Sequence, residues 1–352
     1  MVSDEAYMAL AIKMAEKGRH DTWKNPRVGA VIVKDDQILA TGYHHHFGDQ
    51  HAERDAISKL TSEQLFNSTL YVTLEPCNHF GKQPPCSRLI VARHVRRVVI
   101  ACVDPHKLVT GKGIETLKKA GIQVTVGVLA DQAAKLNPYY NFFYQNDRPW
   151  VTIKQAVTLD HKVGIADQRI RVTNQSVYER VHQERADYQA IMIGSDTAII
   201  DDPTLLTSVA SDYPPIRVVV DRRGRLCDHL QLKLLQAGSV ETWLLTQSQE
   251  LLAHRFPENV KAFELSGEKV SDVLEVLAKQ ALQSVYVEGG PTIQRAFLDE
   301  KLAVDMITYV SPHFLGKQGI DGVTPEDEIS LDDTAIERLG DDIRVYGRIS
   351  YV

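Results

Sequence analysis

A histidine, a glutamate two residues on and two later cysteines stand in an order that chemistry can use: His51-Ala52-Glu53, then Pro76-Cys77, then Cys86. One imidazole and two thiolates make three soft ligands for a tetrahedral zinc, and a three-ligand site keeps its fourth position for water. With Glu53 as proton carrier, such a centre suits hydrolytic attack on an amino-bearing carbon–nitrogen double bond, as in nucleobase deamination. The usual signature is H-x-E followed by P-C-x-x-C. Here the second cysteine lies farther out, across Asn78-His79-Phe80-Gly81-Lys82-Gln83-Pro84-Pro85. The competing reading is a core histidine with two small buried thiols. Residues i and i+2 diverge around a helix, so His51 and Glu53 share a site only if the first helical turn meets the metal end-on.

The elements that must position these groups alternate between strand and helix. Glu5 to Lys17 has helical apolar spacing and ends at Gly18, while Val28 to Val33 and Ile38-Leu39-Ala40 form a hairpin around Asp35-Asp36. The run after His51 reads as a helix, and Thr69 to Leu74 reads as a buried strand that delivers Cys77 at its end. Cys86 opens another helix. Strand Val95 to Val103, helix Gly113 to Ala120 and strand Ile122 to Val128 complete a three-layer α/β pattern. Strand-to-helix junctions are where such folds place their sites. Asn137-Pro138 and Arg148-Pro149 break the pattern, which sets a domain boundary near Asp147: residues 1–146 and 147–352.

The second stretch is again α/β, with strands at 151–157, 190–194, 216–221, 241–246, 284–288 and 304–310, and helices at 175–185, 270–282 and 292–299. Two domains also follow from the 352-residue length. Hydrophobic residues at 43% and charged residues at 24% describe an ordinary globular chain. A net charge of -6 argues against binding nucleic acid through bulk electrostatics. The start Met1-Val2-Ser3-Asp4-Glu5 lacks the basic and apolar regions of a signal peptide, and no stretch approaches the length of a membrane span. The expectation is a cytoplasmic protein acting on small molecules, without membrane or nucleic-acid partners. Assembly state stays open, a homo-oligomer included, and no disulfide framework is expected from Cys102 and Cys227.

Taken together, Met8-Ala9, Asn25-Pro26-x-Val28-Gly29, Gly42-Tyr43-His44, His51-Ala52-Glu53, Leu74-Glu75-Pro76-Cys77-x-His79-x-Gly81, Pro84-Pro85-Cys86 and Gly111-Lys112-Gly113 resemble the bifunctional deaminase and reductase of riboflavin biosynthesis. Lys154, Thr158-Leu159-Asp160, Arg185-Ala186, Asp201-Asp202-Pro203, Val287-Glu288-Gly289-Gly290-Pro291-Thr292 and Ser311-Pro312 extend the likeness through the second half. The resemblance implies a cytidine-deaminase-like domain followed by a dihydrofolate-reductase-like domain. It implies zinc-dependent deamination of a diaminopyrimidinone ribosylamine phosphate, then reduction of the ribosyl chain to ribityl with NADPH.

By that likeness Asn25, His44, His79 and Lys82 contact the first substrate, with Lys82 toward its phosphate. Val157, Arg171, Thr197, Asp201 and the turn Gly289-Gly290-Pro291-Thr292 fall near NADPH, while Lys154, Arg185, Leu205 and Glu288 fall where the sugar phosphate is held. A glycine turn between strand and helix offers backbone N–H groups to phosphate, although Gly-Gly-Pro is more often a plain turn. Arg222-Arg223, at the end of strand Val218-Val219-Val220-Asp221, could hold the 2′-phosphate of NADPH or be a solvated turn. Departures from the family pattern are His161 for a glycine, Arg171 for a tryptophan, Ser208 for an arginine, and His106 for the asparagine of Asp-Pro-Asn. Two other readings stay open: a zinc deaminase of another base or nucleoside with a non-reducing second domain, and a structural zinc domain fused to a regulatory ligand-binding module.

Overall fold

The computed structural model describes residues 2–78 and 84–352. The chain divides into two compact units, residues 1–147 and 148–352.

In the first unit, five strands are ordered β2-β1-β3-β4-β5: β1 Gly29–Lys34, β2 Gln37–Tyr43, β3 Thr69–Leu74, β4 Arg97–Cys102 and β5 Gln123–Val126. The pair β1–β2 and the pair β1–β3 are antiparallel, whereas β3, β4 and β5 run parallel. The helices are α1 Asp4–Ala15, α2 Ala52–Ser58, α3 Ser62–Leu65, α4 Cys86–Ala92, α5 Lys112–Lys119, α6 Ala130–Ala134 and α7 Pro138–Asn146. Successive strand residues face opposite sides, so the β-branched runs supply two cores. Ala30, Ile32, Leu70, Val72, Val98 and Ile100 pack with Ala56, Ile90 and Leu117 of α2, α4 and α5. Val31, Val33, Tyr71 and Val99 pack instead with Tyr7, Met8 and Ala11 of α1. Three layers result. The segment before Asp147, read from sequence as a string of breakers, is helical: Pro138 occupies the first turn of α7, where its missing N–H costs nothing, and Asp147 closes the helix in the left-handed region.

The second unit is a nine-stranded sheet ordered β11-β10-β9-β8-β12-β6-β13-β16-β15. Its strands are β6 Trp150–Thr158, β8 Ala190–Gly194, β9 Ile216–Val220, β10 Thr242–Thr246, β11 Val260–Glu264, β12 Ser284–Val287, β13 Asp305–Ser311, β15 Ile329–Leu339 and β16 Asp342–Tyr351. A separate pair joins β7 Lys162–Ile165 to β14 Gly319–Asp321. Helices α8 Gln175–Glu184, α9 Ser195–Asp201, α10 Gln249–Ala253, α11 Val270–Lys279 and α12 Pro291–Asp299 accompany the sheet. One face packs Met192, Val218, Leu245 and Val287 against Val273, Leu277 and Phe297 of α11 and α12. The other packs Ile191, Ile193, Val219 and Leu244 with Ala198 and Leu251 of α9 and α10. Strand β11, helix α9 and the terminal hairpin β15–β16 lie outside the elements expected from sequence. No helix among the described residues is long and apolar enough to cross a membrane.

Candidate functional sites

In the first unit, helix α2 is seated against β2 by Gly42, where a Cβ would meet the Ala52 carbonyl oxygen at 2.3 Å. Asp55 fastens the same pair, accepting from the Tyr43 backbone N–H at 3.1 Å and from Lys59 Nζ at 3.0 Å. His51 therefore sits at the N-cap of α2 with extended backbone, and Glu53 lies one residue inside the helix. The end-on arrangement required by the His-x-Glu spacing is present. Cys77 follows the end of β3 and Cys86 begins α4. His51 Nδ1 stands 3.5 Å from each sulfur, and the three ligand atoms lie within 4.8 Å of one another. The Cys86 backbone N–H donates to Cys77 Sγ at 3.3 Å, which orients that sulfur.

The electrostatics of the cluster agree with a cation site. The Cys86 thiol, with the His51 ring, holds the Cys77 thiol down to about 4, while its hydrogen bond to Cys77, with burial, drives Cys86 well above its usual value. Metal ligands must be deprotonated, so a site of this kind binds its ion with loss of thiol protons. Burial pushes the Glu53 carboxyl up to about 7, against an opposing pull from His51. Two thiolates and an imidazole so close together fit zinc by donor chemistry.

A cavity of about 200 Å³ adjoins these residues, lined by Asn25, His44, His51, Glu53, Glu75 and Cys77 and walled by Asp104, His106, Tyr140 and Tyr144. His44 is buried, with Nδ1 2.9 Å from the Gln50 carbonyl oxygen and Nε2 3.0 Å from Asn25 Nδ2. Burial holds the His44 pKa below the ordinary histidine value. A neutral ring donating from Nδ1 leaves Nε2 to accept from the Asn25 amide. Tyr140 donates to Asp104 Oδ1 at 3.0 Å. Neither tyrosine was singled out from sequence, because their segment carried only the signal of a domain boundary. The expected substrate contacts His79 and Lys82 lie outside the described residues.

The second unit holds a larger cavity, about 810 Å³. Lys154, Arg171, Arg185, Thr197, Asp201, Arg222, Glu288 and the turn Gly289-Gly290-Pro291-Thr292 all line it. Two expected residues do not. Val157, on β6 and paired with Val310, is buried at 3% exposure. Leu205 is 4% exposed and packs with Ile193 and Ala198, so its apolar side chain belongs to the core. The cavity wall also includes Tyr178, His182, Asp196 and Arg225, which the sequence reading passed over. Tyr178 and His182, one turn apart on α8, have ring centroids 4.2 Å apart, and that i,i+4 aromatic spacing was the available signal.

Charge inside this cavity is organised by Glu288. Its two carboxylate oxygens accept from Arg185 Nε at 2.6 Å and Nη2 at 3.0 Å, and Arg185 Nη1 donates to the Leu206 carbonyl at 2.8 Å. Both residues line the cavity, and Glu288 spends its carboxylate oxygens on Arg185. Burial alone would raise Glu288, yet Arg185 and Lys154 keep its carboxyl below the usual range. Lys154 Nζ is 3.8 Å from Glu288 Oε2, beyond hydrogen-bond length, and burial lowers its pKa. Arg222 donates to the Lys269 carbonyl at 3.0 Å, while its buried Nε has no partner among the described residues. Arg171 lies over the Tyr178 ring, 4.8 Å from its centroid.

Comparison with known proteins assigns both halves. Residues 1–102 match the cytidine and deoxycytidylate deaminase zinc-binding region, and residues 149–345 match the RibD C-terminal domain. The riboflavin biosynthesis protein RibD of Aquifex aeolicus (strain VF5) is 33% identical over 97% of this chain and 98% of its own length. Its Escherichia coli (strain K12) counterpart is 34% identical over 90% and 89%. Among solved structures, Acinetobacter baumannii RibD superposes with a TM-score of 0.88 at 35% identity, covering 99% of both chains. A Thermotoga maritima diaminohydroxyphosphoribosylaminopyrimidine deaminase and 5-amino-6-(5-phosphoribosylamino)uracil reductase gives 0.83 at 33% identity, covering 98% of both. The fold is thus a cytidine-deaminase-like domain followed by the RibD reductase domain, and the cofactors are zinc and NADPH. The chain belongs to the RibD family of bifunctional deaminase-reductases of riboflavin biosynthesis.

Proposed function

We propose that the two activities divide at Asp147, with deamination built on His51, Glu53, Cys77 and Cys86 and reduction built around Lys154, Arg185 and Glu288. One observation carries the first assignment: three soft ligand atoms converge within 4.8 Å beside a buried carboxylate that lines the same cavity. His51, Cys77 and Cys86 would hold the zinc, and Glu53 is left over as a group that moves protons. Zinc, when bound there, supplies the Lewis acidity that makes water a nucleophile near neutral pH. Glu53 takes the proton from the attacking water and returns it to the departing amine, so the net change is water in and ammonia out. Asn25, oriented by the neutral His44 ring, faces the pyrimidine. His79 and Lys82 remain candidates for the phosphate end of the substrate.

In the second unit, NADPH supplies the hydride. The chain's own residues bind and align the two reactants, a contribution that can reach several kcal/mol. The glycine turn at the N-terminus of α12 presents backbone N–H groups to cofactor phosphate. Thr197, Asp201, Arg171 and Arg222 line the same space, and in this reading Arg222 takes the 2′-phosphate. Lys154, with no hydrogen-bonded carboxylate of its own, meets the anionic sugar chain. Arg185 is held by Glu288 and shapes the wall behind it. Four cysteines without a disulfide agree with a reducing compartment, and the cytoplasm is the setting this reading takes.

The test is Glu53→Gln, with zinc content and both activities measured separately. Zinc and reduction should stay near wild type while deamination falls by roughly 10²–10⁴, the usual worth of a general acid–base group. Deamination at wild-type speed would remove Glu53 from the proton-carrier role. Loss of both reactions in a folded, zinc-loaded variant would overturn the division at Asp147.

A further inference from the structure

Glu75 has no part in the chemistry above, yet it is 4% exposed and carries an unusual load. Its Oε1 accepts from the backbone N–H groups of Gly113 at 2.9 Å and Ile114 at 3.1 Å. Its Oε2 accepts from Gly111 at 2.9 Å and, at a longer 3.4 Å, from Asp104. A carboxylate offers about four lone-pair positions, so none is left for a ligand. The donors include the first-turn N–H groups of α5, which have no partner within the helix and favour a negative charge.

Glu75 joins two walls of the deaminase cavity. Its own backbone extends β3, donating to the Cys102 carbonyl at 2.9 Å, and Pro76-Cys77 follow directly. The segment it grips, from Asp104 to Ile114, supplies Asp104, His106 and Val109 to the far wall of the deaminase cavity. That segment is stitched to itself: the His106 N–H donates to Asp104 Oδ1 at 2.8 Å, and Thr110 Oγ1 donates to the Asp104 carbonyl at 2.9 Å. These bonds brace it internally. A second feature enforces the same closeness. A Cβ added at Gly113 would lie 2.0 Å from the Pro76 carbonyl oxygen and 3.2 Å from Glu75 Oε1.

We infer that Glu75 is a positioning residue for deamination: with Gly113, it sets the width of the substrate cavity by clamping the Asp104–Ile114 segment onto the strand end that carries Cys77. The inference rests on the reading of this cavity as the deamination site. It predicts a particular kinetic signature, because His51, Glu53 and Cys77 lie on the strand-end and α2 side of the joint, while the clamped wall only holds substrate.

The experiment measures zinc content and the KM and kcat of deamination for Glu75→Gln, Glu75→Asp and Gly113→Ala, with reductase turnover as the internal control. Glutamine places an N–H donor against backbone donors. Alanine pushes α5 away while leaving Glu75 intact, so the two changes strain one joint from opposite sides. Both should retain zinc and raise KM by at least roughly tenfold, the order expected for one lost hydrogen bond to a charged group, with kcat changed far less. Glu75→Asp, which keeps the charge but withdraws the oxygens, should fall between them and wild type. If Glu75→Gln does not fold, Gly113→Ala and Glu75→Asp decide. A wild-type KM in zinc-loaded Gly113→Ala, a loss confined to kcat, or loss of zinc from the variants would each overturn the inference. Glu53→Gln run in parallel separates the two readings: its full activity would sink the site assignment, whereas unchanged KM in the clamp variants sinks only the clamp.

Discussion

Replacing Glu288 with glutamine tests the charge arrangement of the second cavity at its centre. Glu288 is bound by Arg185 through two charge-assisted hydrogen bonds of 2.6 and 3.0 Å, and its side chain is only 7% exposed. Lys154 adds a second cation 3.8 Å away. A glutamine keeps one acceptor for Arg185 Nε but turns an N–H donor toward the other guanidinium nitrogen. It also leaves two neighbouring cations without a counter-charge. Hydrogen bonds to charged groups are worth about 1.5–3 kcal/mol each, and removing one partner of a buried ion pair costs roughly 3–5 kcal/mol. For a unit of this size each kcal/mol moves the midpoint by about 2–4 °C, so Tm should fall by roughly 6–20 °C. Two of the three tryptophans, Trp150 and Trp243, lie in this unit. Thermal unfolding followed by fluorescence in a Trp23→Phe background therefore reports on it alone. Reduction should fall with it, and deamination should persist at temperatures where the second unit is folded. A Tm within about 2 °C of the Trp23→Phe parent, with reduction intact, would refute the claim that Glu288 neutralises buried cations, because the predicted loss is several times larger.

Cys86→Ser should lower zinc below about one per chain and abolish deamination, since the thiolates dominate the ligand set; full zinc and full activity would remove Cys86 from it. Arg222→Ala should raise KM for NADPH more than for NADH, and an equal effect on both cofactors would exclude contact with the 2′-phosphate. Lys154→Ala should spare deamination and impair reduction mainly through KM for the sugar phosphate substrate. In the first unit Asp4 accepts from Tyr71 Oη at 2.8 Å and from Arg97 at 2.9 and 2.7 Å, and the Arg97 hydrogen bonds hold its carboxyl below the ordinary aspartate value. A carboxyl depressed by folding contributes stability above its unfolded pKa, about 3.9, and loses it as pH falls through the lower folded value. Asp4→Asn should thus cost about 1 kcal/mol at pH 7 in urea unfolding, a figure kept small by partial exposure. The difference from wild type should shrink in acid.

The zinc cluster was legible because metal ligation restricts residue type: few side chains can replace His51, Cys77 and Cys86, so their order along the chain carries the site. The buried strands were legible for a similar reason, since runs such as Ala30–Val33 and Val98–Ala101 feed cores on both faces of a sheet. Other parts left weaker traces. Tyr140 and Tyr144 reach the cavity from α7, but aromatic residues between two prolines look the same at a domain boundary. Strand β15 carries Asp332, Asp333, Thr334, Glu337 and Arg338 and lies at the sheet edge with mostly exposed side chains, so little apolar alternation marked it. Glu75 stood inside a motif, yet its work is done on backbone N–H groups 29 to 39 residues away, which no local pattern contains. Val157 and Leu205 were named by likeness to the family, and their side chains are buried at 3% and 4% exposure, a packing that no local pattern announces.

The two sites differ in how their charge is spent, and that difference governs what substitution does to each. In the first unit the reactive groups compete for protons: Cys77 is held low, Cys86 is driven up and Glu53 sits near neutrality. The three ligand atoms there, within 4.8 Å of one another, fit a cation by donor chemistry. In the second unit Arg185 and Glu288 offset each other, and Lys154, Arg171, Arg222, Arg223 and Arg225 outnumber Asp196, Asp201 and Asp221 along the wall, which leaves it net positive. That residual charge suits an anionic sugar phosphate and supplies no nucleophile or acid strong enough to drive bond breaking alone. Changes in the first cluster should therefore act on kcat, through lost metal or lost proton transfer. Changes around Lys154 should act on KM and on stability, because there the protein aligns two reactants that bring the chemistry with them. Measuring both parameters for both reactions across these variants separates the two modes, and a Lys154→Ala enzyme with normal KM and depressed kcat would show that the lysine delivers a proton after all.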